Sequence, residues 1–459
     1  MNTVKRSHLS TVVIVCLVSI AGRVSAQHSG GHTTSERPAE QHESHGSQST
    51  SGNHQAMDHR GAMSDMGTPT GMFASGTALE PRASMDANPM LHTMLGNWNL
   101  MLHAKAFVLT TQQSGPRGRD RFFSANWLMP MLSRQMGAHS LTFRTMLSLE
   151  PATVTDRRYP ALFQTGETAY GLPIVDGQHP HDLFMEIAGL YAYTPSEGTK
   201  LFVYGGPVGE PSIGPPAYPH RTSASENPIA VLAHHQQDST HIAYSVVNLG
   251  ASFGPIQLEA STFHGREPNE NRWNIDGGDP DSFASRLSVA PSDNWVGQFS
   301  LARINSPEVT SPDEDAFRMT SSIHYHRPLH RGHVASSLIW GRNKEIGEHS
   351  VVFNTYTWEL TVRLLEKNWV WTRIENADRD STLLTGETPA ALDVEEEVIG
   401  RVQAYTLGYE RDFPDFGSWL TAGLGVQGTF YTIPDVLKPI YGDSPRSVQV
   451  FLRFRTERK

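Results

Sequence analysis

The sequence predicts an all-β fold: a transmembrane, antiparallel, up-and-down β-barrel of about sixteen strands, preceded by a disordered tail. Three observations predict it. The chain opens on a secretory pattern, its segments alternate apolar and polar residues, and the links between those segments alternate short and long.

Export comes first. Lys5 and Arg6 give a positive start, Val12 to Ile20 is a short apolar run, and Val24-Ser25-Ala26 supplies small residues ahead of a cut before Gln27. The run is too short to anchor a protein in a membrane, and a polar stretch follows it. Residues 1–26 are therefore expected to be a cleaved signal peptide. The single cysteine, Cys16, lies inside this run, and its neighbours Val15 and Leu17 are not the small residues that flank a lipid-modified cysteine. The mature chain is then expected to have no disulfide, thiolate metal site or cysteine nucleophile, which suits a bacterial envelope.

The net charge is −10 at neutral pH, so nucleic acid is not an expected partner. No later stretch is apolar enough for a membrane helix. A membrane barrel shows the same modest hydropathy, because only alternate strand residues face lipid.

Residues 27–94 are rich in Ser, Gly, His, Met and Thr and poor in large aliphatic residues. Such a segment cannot bury enough apolar surface to offset its ordering entropy, so it is expected to be disordered. The barrel is expected over 95–459. There Trp98, Leu100, Leu102, Ala104, Ala106 and Val108 share one face, with Asn99, Met101, His103, Lys105 and Phe107 on the other. The same period of two runs through 141–150, 255–263, 355–363 and 419–430. The segments begin near 97, 121, 138, 182, 199, 239, 255, 283, 294, 316, 332, 349, 369, 400, 417 and 446. Short links fall near 134–137, 195–198, 253–255, 291–293, 327–331, 363–368 and 412–416. Longer Gly/Pro-rich links fall near 151–181, 207–238, 264–282, 304–315, 377–399 and 432–445, with shorter ones at 112–120 and 342–348 in the same phase. Short turns on one side and long loops on the other are the habit of outer-membrane barrels. An even strand count puts both chain ends, and hence the tail, in the periplasm, with outer-membrane lipid as the surrounding partner.

Trp98, Trp295, Trp340, Trp358, Trp369, Trp371 and Trp419 lie near expected strand ends, where amphipathic rings favour the membrane interface. The final segment, Val448 to Phe454, alternates and ends in an aromatic, like the C-terminal strand signal of outer-membrane proteins, although Arg455 to Lys459 follow it.

The chemistry-bearing residues fall in two places. The tail carries His28, His32, His42, His45, His54, Met57, His59, Met63, Met66 and Met72. Thioether sulfur is a soft ligand suited to Cu(I) or Ag(I), and imidazole suits Cu(II), Zn or Ni. A signal, a His/Met tail with Met57-Asp58-His59, and a barrel together resemble the copper-resistance outer-membrane proteins of the CopB type. That resemblance implies heavy-metal (copper) binding, resistance or transport, with copper ions or periplasmic copper proteins as partners. The alternative is a general small-solute pore or structural barrel with no metal role.

Two loop clusters follow. Asp176, His179, His181 and Asp182 end one long loop, and His234, His235, Asp238 and His241 end the next. Both are expected at the external rim, one hairpin apart, either binding a divalent ion or ordering the loops by hydrogen bonds. The Gly265–Asp281 stretch is rich in carboxylates but lacks calcium-loop spacing and reads as a loop tip. Lys105, Arg144, Glu150, Glu186, Glu259, Arg286, Glu359 and Arg453 lie opposite the lipid face; with both signs present, charge alone predicts no selectivity, and the groups can pair across the lumen. No hydrolase or phosphate-loop motif occurs, and Ser239 or Ser245 with His241 supplies at most a dyad lacking its third group, so no enzyme activity is expected.

Overall fold

The computed structural model describes residues 67–230, 232–347, 350–413, 417 and 419–457, all within one compact unit, Asp58–Lys459. Three short strands come first: β1 (Gly71–Phe73), β2 (Leu79–Pro81) and β3 (Leu91–Leu95). The wall begins with β4 (Trp98–Gln113), β5 (Arg121–Met136) and β6 (His139–Leu147). A small hairpin, β7 (Tyr159–Ala169) with β8 (Leu172–Gln178), sits in the loop that follows. The wall resumes with β9 (Phe184–Ser196), β10 (Thr199–Gly209), β11 (Ala243–Phe253), β12 (Ile256–His264), β13 (Ser282–Ser292) and β14 (Trp295–Ile304). It continues through β15 (Asp315–Leu329), β16 (Gly332–Ile346), β17 (Val352–Leu364), β18 (Asn368–Asp380), β19 (Val398–Asp412), β20 (Leu420–Thr432) and β21 (Arg446–Thr456).

Sixteen antiparallel strands, β4–β6 and β9–β21, close into a barrel. The seam joins β21 to β4, from Ser447↔Gln113 to Arg455↔Lys105. The short β3 pairs with the foot of β4, Leu91↔Leu102 to Leu95↔Trp98, on the same edge. Each of the sixteen segments read from the sequence corresponds to one of these strands. Two-residue turns such as Glu197-Gly198 are possible because Gly198 takes φ +76°, the left-handed region that tight hairpins need.

The packing is inside-out. Along β21, Val448, Val450 and Leu452 are exposed, whereas Ser447, Gln449 and Arg453 are buried. Along β17, Tyr356 and Trp358 face out, while Thr355, Thr357, Glu359 and Thr361 face in. Apolar residues outward and polar residues inward is the pattern of a barrel solvated by lipid. This is an outer-membrane-type barrel.

Two expectations are corrected. The boundary between tail and barrel does not fall at 94: residues 67–95 hold ordered structure. The β1–β2 hairpin is stapled to the inner wall, since Thr77 Oγ1 accepts from Asn248 (2.8 Å) and Arg286 (3.0 Å) and donates to Glu259, and Phe73 packs on Phe202. Low apolar content does not prevent order when the barrel supplies the partners. The second correction concerns Trp369 and Trp371, which are buried in the lumen rather than at the interface. Their ring nitrogens donate to Asp412 (3.1 Å) and Gln427 (2.8 Å). Gly408 makes the room, because a Cβ there would lie 2.1 Å from the Trp371 ring.

Candidate functional site

The lumen is occupied by the chain itself. Residues 210–230 and 232–242 leave β10, fold inward and cross the bore, and nearly all are buried. A Pro-rich start, Pro211 to Pro219, stiffens the path. The loop is tied to the wall on several sides. Ser212 meets Ser261 (2.9 Å), the Gly214 N–H donates to Ser300 (2.9 Å), and Ser223 meets Ser337 (2.7 Å).

Charge does most of the tying. Arg221 grips Glu359 (2.7 Å) from the wall and Asp238 (3.0 Å) from its own loop. Glu226 lies between Lys105 (3.0 Å) and Arg453, and Arg453 also reaches Glu410 (2.8 Å) and Asp412. Arg286 pairs with Glu259 (2.9 Å), and Arg144 with Glu186 (2.7 Å). All eight charges assigned to the inner side are thus buried, and each has a partner; Glu150 serves His181. A buried ion pair gives little net stability, but removing one partner is severe.

The two histidine loops meet at the long-loop end. Ring centroids run His179–His235 (6.1 Å), His235–His234 (5.6 Å), His234–His241 (5.2 Å) and His241–His181 (5.5 Å). Several members are held by carboxylates: His179 by Glu167 (2.7 Å), His181 by Glu150 (3.0 Å) and His234 by Asp238 (2.7 Å). Asp176 stands apart, accepting from Phe163 N (2.8 Å) and Tyr441 (3.0 Å), and Asp182 faces Arg272 (3.7 Å). Burial works against a charged His181, but the Glu150 carboxylate outweighs it and raises its pKa. Burial lowers His234 and His241, while their contacts with Asp238 oppose the shift. Among the described residues no three His, Cys, Asp or Glu side chains are grouped to hold a metal ion.

Beside this chain of imidazoles lies a cavity of about 120 Å³, lined by Glu167, Glu267, Glu308, Glu314, Asp380 and Glu396 among others. Loss of solvent and the neighbouring Glu267 push Glu308 up to about 7. Ser245 donates to Gly278 O (2.6 Å) and His241 Nδ1 lies against Asp238 O (2.7 Å), so these two do not address each other. Residues 265–281 dock on the β7–β8 hairpin, where Glu270 accepts from Tyr170 N and Gly171 N, each at 2.8 Å.

The tail residues His28, His32, His42, His45, His54, Met57, His59, Met63 and Met66 lie outside the described residues. Met72 is described: it sits in β1, buried within the lumenal apolar cluster. Sequence reasoning missed a further set. Met129, Met131 and Met185 line the same side of the lumen as Met101, Met146 and His103, and His220 joins them from the inward loop. The signal was available, since these methionines occupy the strand face opposite the lipid face.

No protein-family model and no curated protein matches the sequence. Solved structures do resemble it. The anion-selective porin from Comamonas acidovorans shares 10% identity at a TM-score of 0.48, covering 78% of this chain and 99% of that one. Salmonella typhi OmpF, in complex with daunomycin, shares 8% at 0.47, covering 79% and 100%. The outer membrane channel DcaP of Acinetobacter baumannii shares 8% at 0.44, covering 80% and 100%. The copper-resistance resemblance rests on the architecture and on Met57-Asp58-His59, and these three residues lie outside the described residues.

Proposed function

We propose that the protein is an outer-membrane channel for small hydrophilic solutes, closed at rest by its own loop and hairpin. The observation that carries this is the polar, charged inner wall, whose partners are supplied by residues 210–242 and 71–81. A wall of this kind suits a water-filled bore, and swinging the loop away would expose one. The acidic cavity at the long-loop end favours cations at that entrance. The short turns face the periplasm, together with the tail.

Planar-bilayer recording tests the channel. The wild-type chain is expected to conduct rarely. Glu226→Gln, which loosens the loop from Lys105 and Arg453, is expected to open more often. Preference for potassium over chloride should rise with pH as Glu308 ionises near 7. A folded chain silent in both forms would leave a structural barrel instead. Orientation is tested with single cysteines on intact cells. Trp273→Cys in a long loop should react with an impermeant thiol reagent, and Leu365→Cys in a short turn should not. The opposite labelling would reverse the assignment.

A further inference from the structure

Buried methionines gather on β4, β5, β6 and β9: Met101, Met129, Met131, Met146 and Met185. The register sets His103 opposite Met129, and the pairs Leu128↔Leu147 and Met131↔Arg144 place Met129 beside Met146. His103, Met129 and Met146 therefore form one row across three strands, at the spacing of adjacent strands. His220 arrives from the inward loop and closes over this row. Its Nε2 stands 3.3 Å from Met146 Sδ, and its ring lies 6.2 Å from that of His103. Trp127 packs against both imidazoles, at 4.6 and 4.8 Å. His103, His220 and Met146 are all buried.

One atom in this group is unaccounted for. His103 Nδ1 is buried without a hydrogen-bond partner. A buried polar atom left without a partner destabilises the fold, so a ligand that engages this nitrogen would recover that loss. The cations two residues along the same strands, Lys105 and Arg144, are neutralised by Glu226 and Glu186, and a neutral imidazole keeps a lone pair for coordination.

We infer that His103, His220 and Met146 form a lumenal site for one soft monovalent cation of the Cu(I) or Ag(I) class. The donor set decides the class. A thioether is a poor ligand for hard ions, and two neutral imidazoles with one thioether suit a soft one. The three donors carry no charge, so a buried divalent ion would keep both of its charges uncompensated, whereas a monovalent ion keeps only one. His220 Nε2 and Met146 Sδ, 3.3 Å apart, are close enough for one ion to touch both. Nothing in this assignment requires conduction, because the site is assembled in the closed lumen.

The test uses the full-length chain in detergent, with folding checked by heat-modifiable migration. A background with each His replaced by Gln and each Met by Leu over residues 28–66 removes the tail donors. In this background, Ag(I) titration is expected to retain one ion per chain, and X-ray absorption to show mixed nitrogen and sulfur ligands. Met146→Leu preserves volume, and His220→Gln preserves polarity; each is expected to lose the ion while still folding. A folded background that retains no Ag(I), ligands other than nitrogen and sulfur, or binding unchanged in both variants would each overturn the site. So would Zn(II) binding as tightly as Ag(I).

Discussion

The two sides of the lumen are filled by different physics. On the side of β17 to β21, the inward loop is held by ion pairs: Arg221 with Glu359, and Arg453 with Glu226, Glu410 and Asp412. On the side of β4 to β10 ion pairs are fewer, Lys105 with Glu226 and Arg144 with Glu186, and a cluster of Met and aromatic side chains fills the space between them, where the β1–β2 hairpin packs through Met72 and Phe73. Buried charges cannot be left alone, so each residue of the ionic side depends on a named partner. Methionine adapts its shape, so the soft side tolerates exchange and loses stability mainly when volume is removed. The ionic side therefore specifies where the loop sits, and the soft side accommodates what lies against it.

The largest expected effect is on the ionic side. Arg453→Ala takes from Glu410 the cation it pairs with, and leaves buried Glu226 to Lys105 alone and Asp412 to Arg455 and Arg363. It should destabilise the folded barrel by about 3–5 kcal/mol in urea unfolding from lipid vesicles. A loss below 1 kcal/mol would show that these groups are not coupled as described. On the soft side, Met101→Ala removes a side chain with no exposed surface and should cost about 2–5 kcal/mol through the cavity it leaves. A loss larger than that of Arg453→Ala would invert the comparison.

The smallest effect probes the histidine chain above both sides. The pKa of His181 is raised in the folded state by Glu150. Its stabilisation is therefore fully present below the unfolded value and is lost as pH rises through the folded one. Glu150→Gln should cost about 1–3 kcal/mol at about pH 6 and less at about pH 9, read as the difference in melting temperature from wild type at each pH. A difference that is flat with pH would remove the charge from this contact.

All sixteen wall strands were legible because alternation and loop sorting are local: each strand declares its lipid face, and each link its length. Histidine clusters at the ends of neighbouring long loops were legible as residues, while the order in which His179, His235, His234, His241 and His181 line up was not. Trp369 and Trp371 misled because Trp carries no sign of which face it takes; space opposite Gly408 decides that for Trp371. His220 carried no signal at all, since its neighbours belong to strands far away in sequence.

By itself the sequence determined the barrel and the approximate starts of its sixteen wall strands, because lipid imposes a period of two on every spanning segment. Only the tertiary structure decided what fills the bore. Residues 67–88 and 210–242 have no periodicity of their own, and they take their places from partners such as Glu259, Glu359 and Met146 that the closed barrel brings to them.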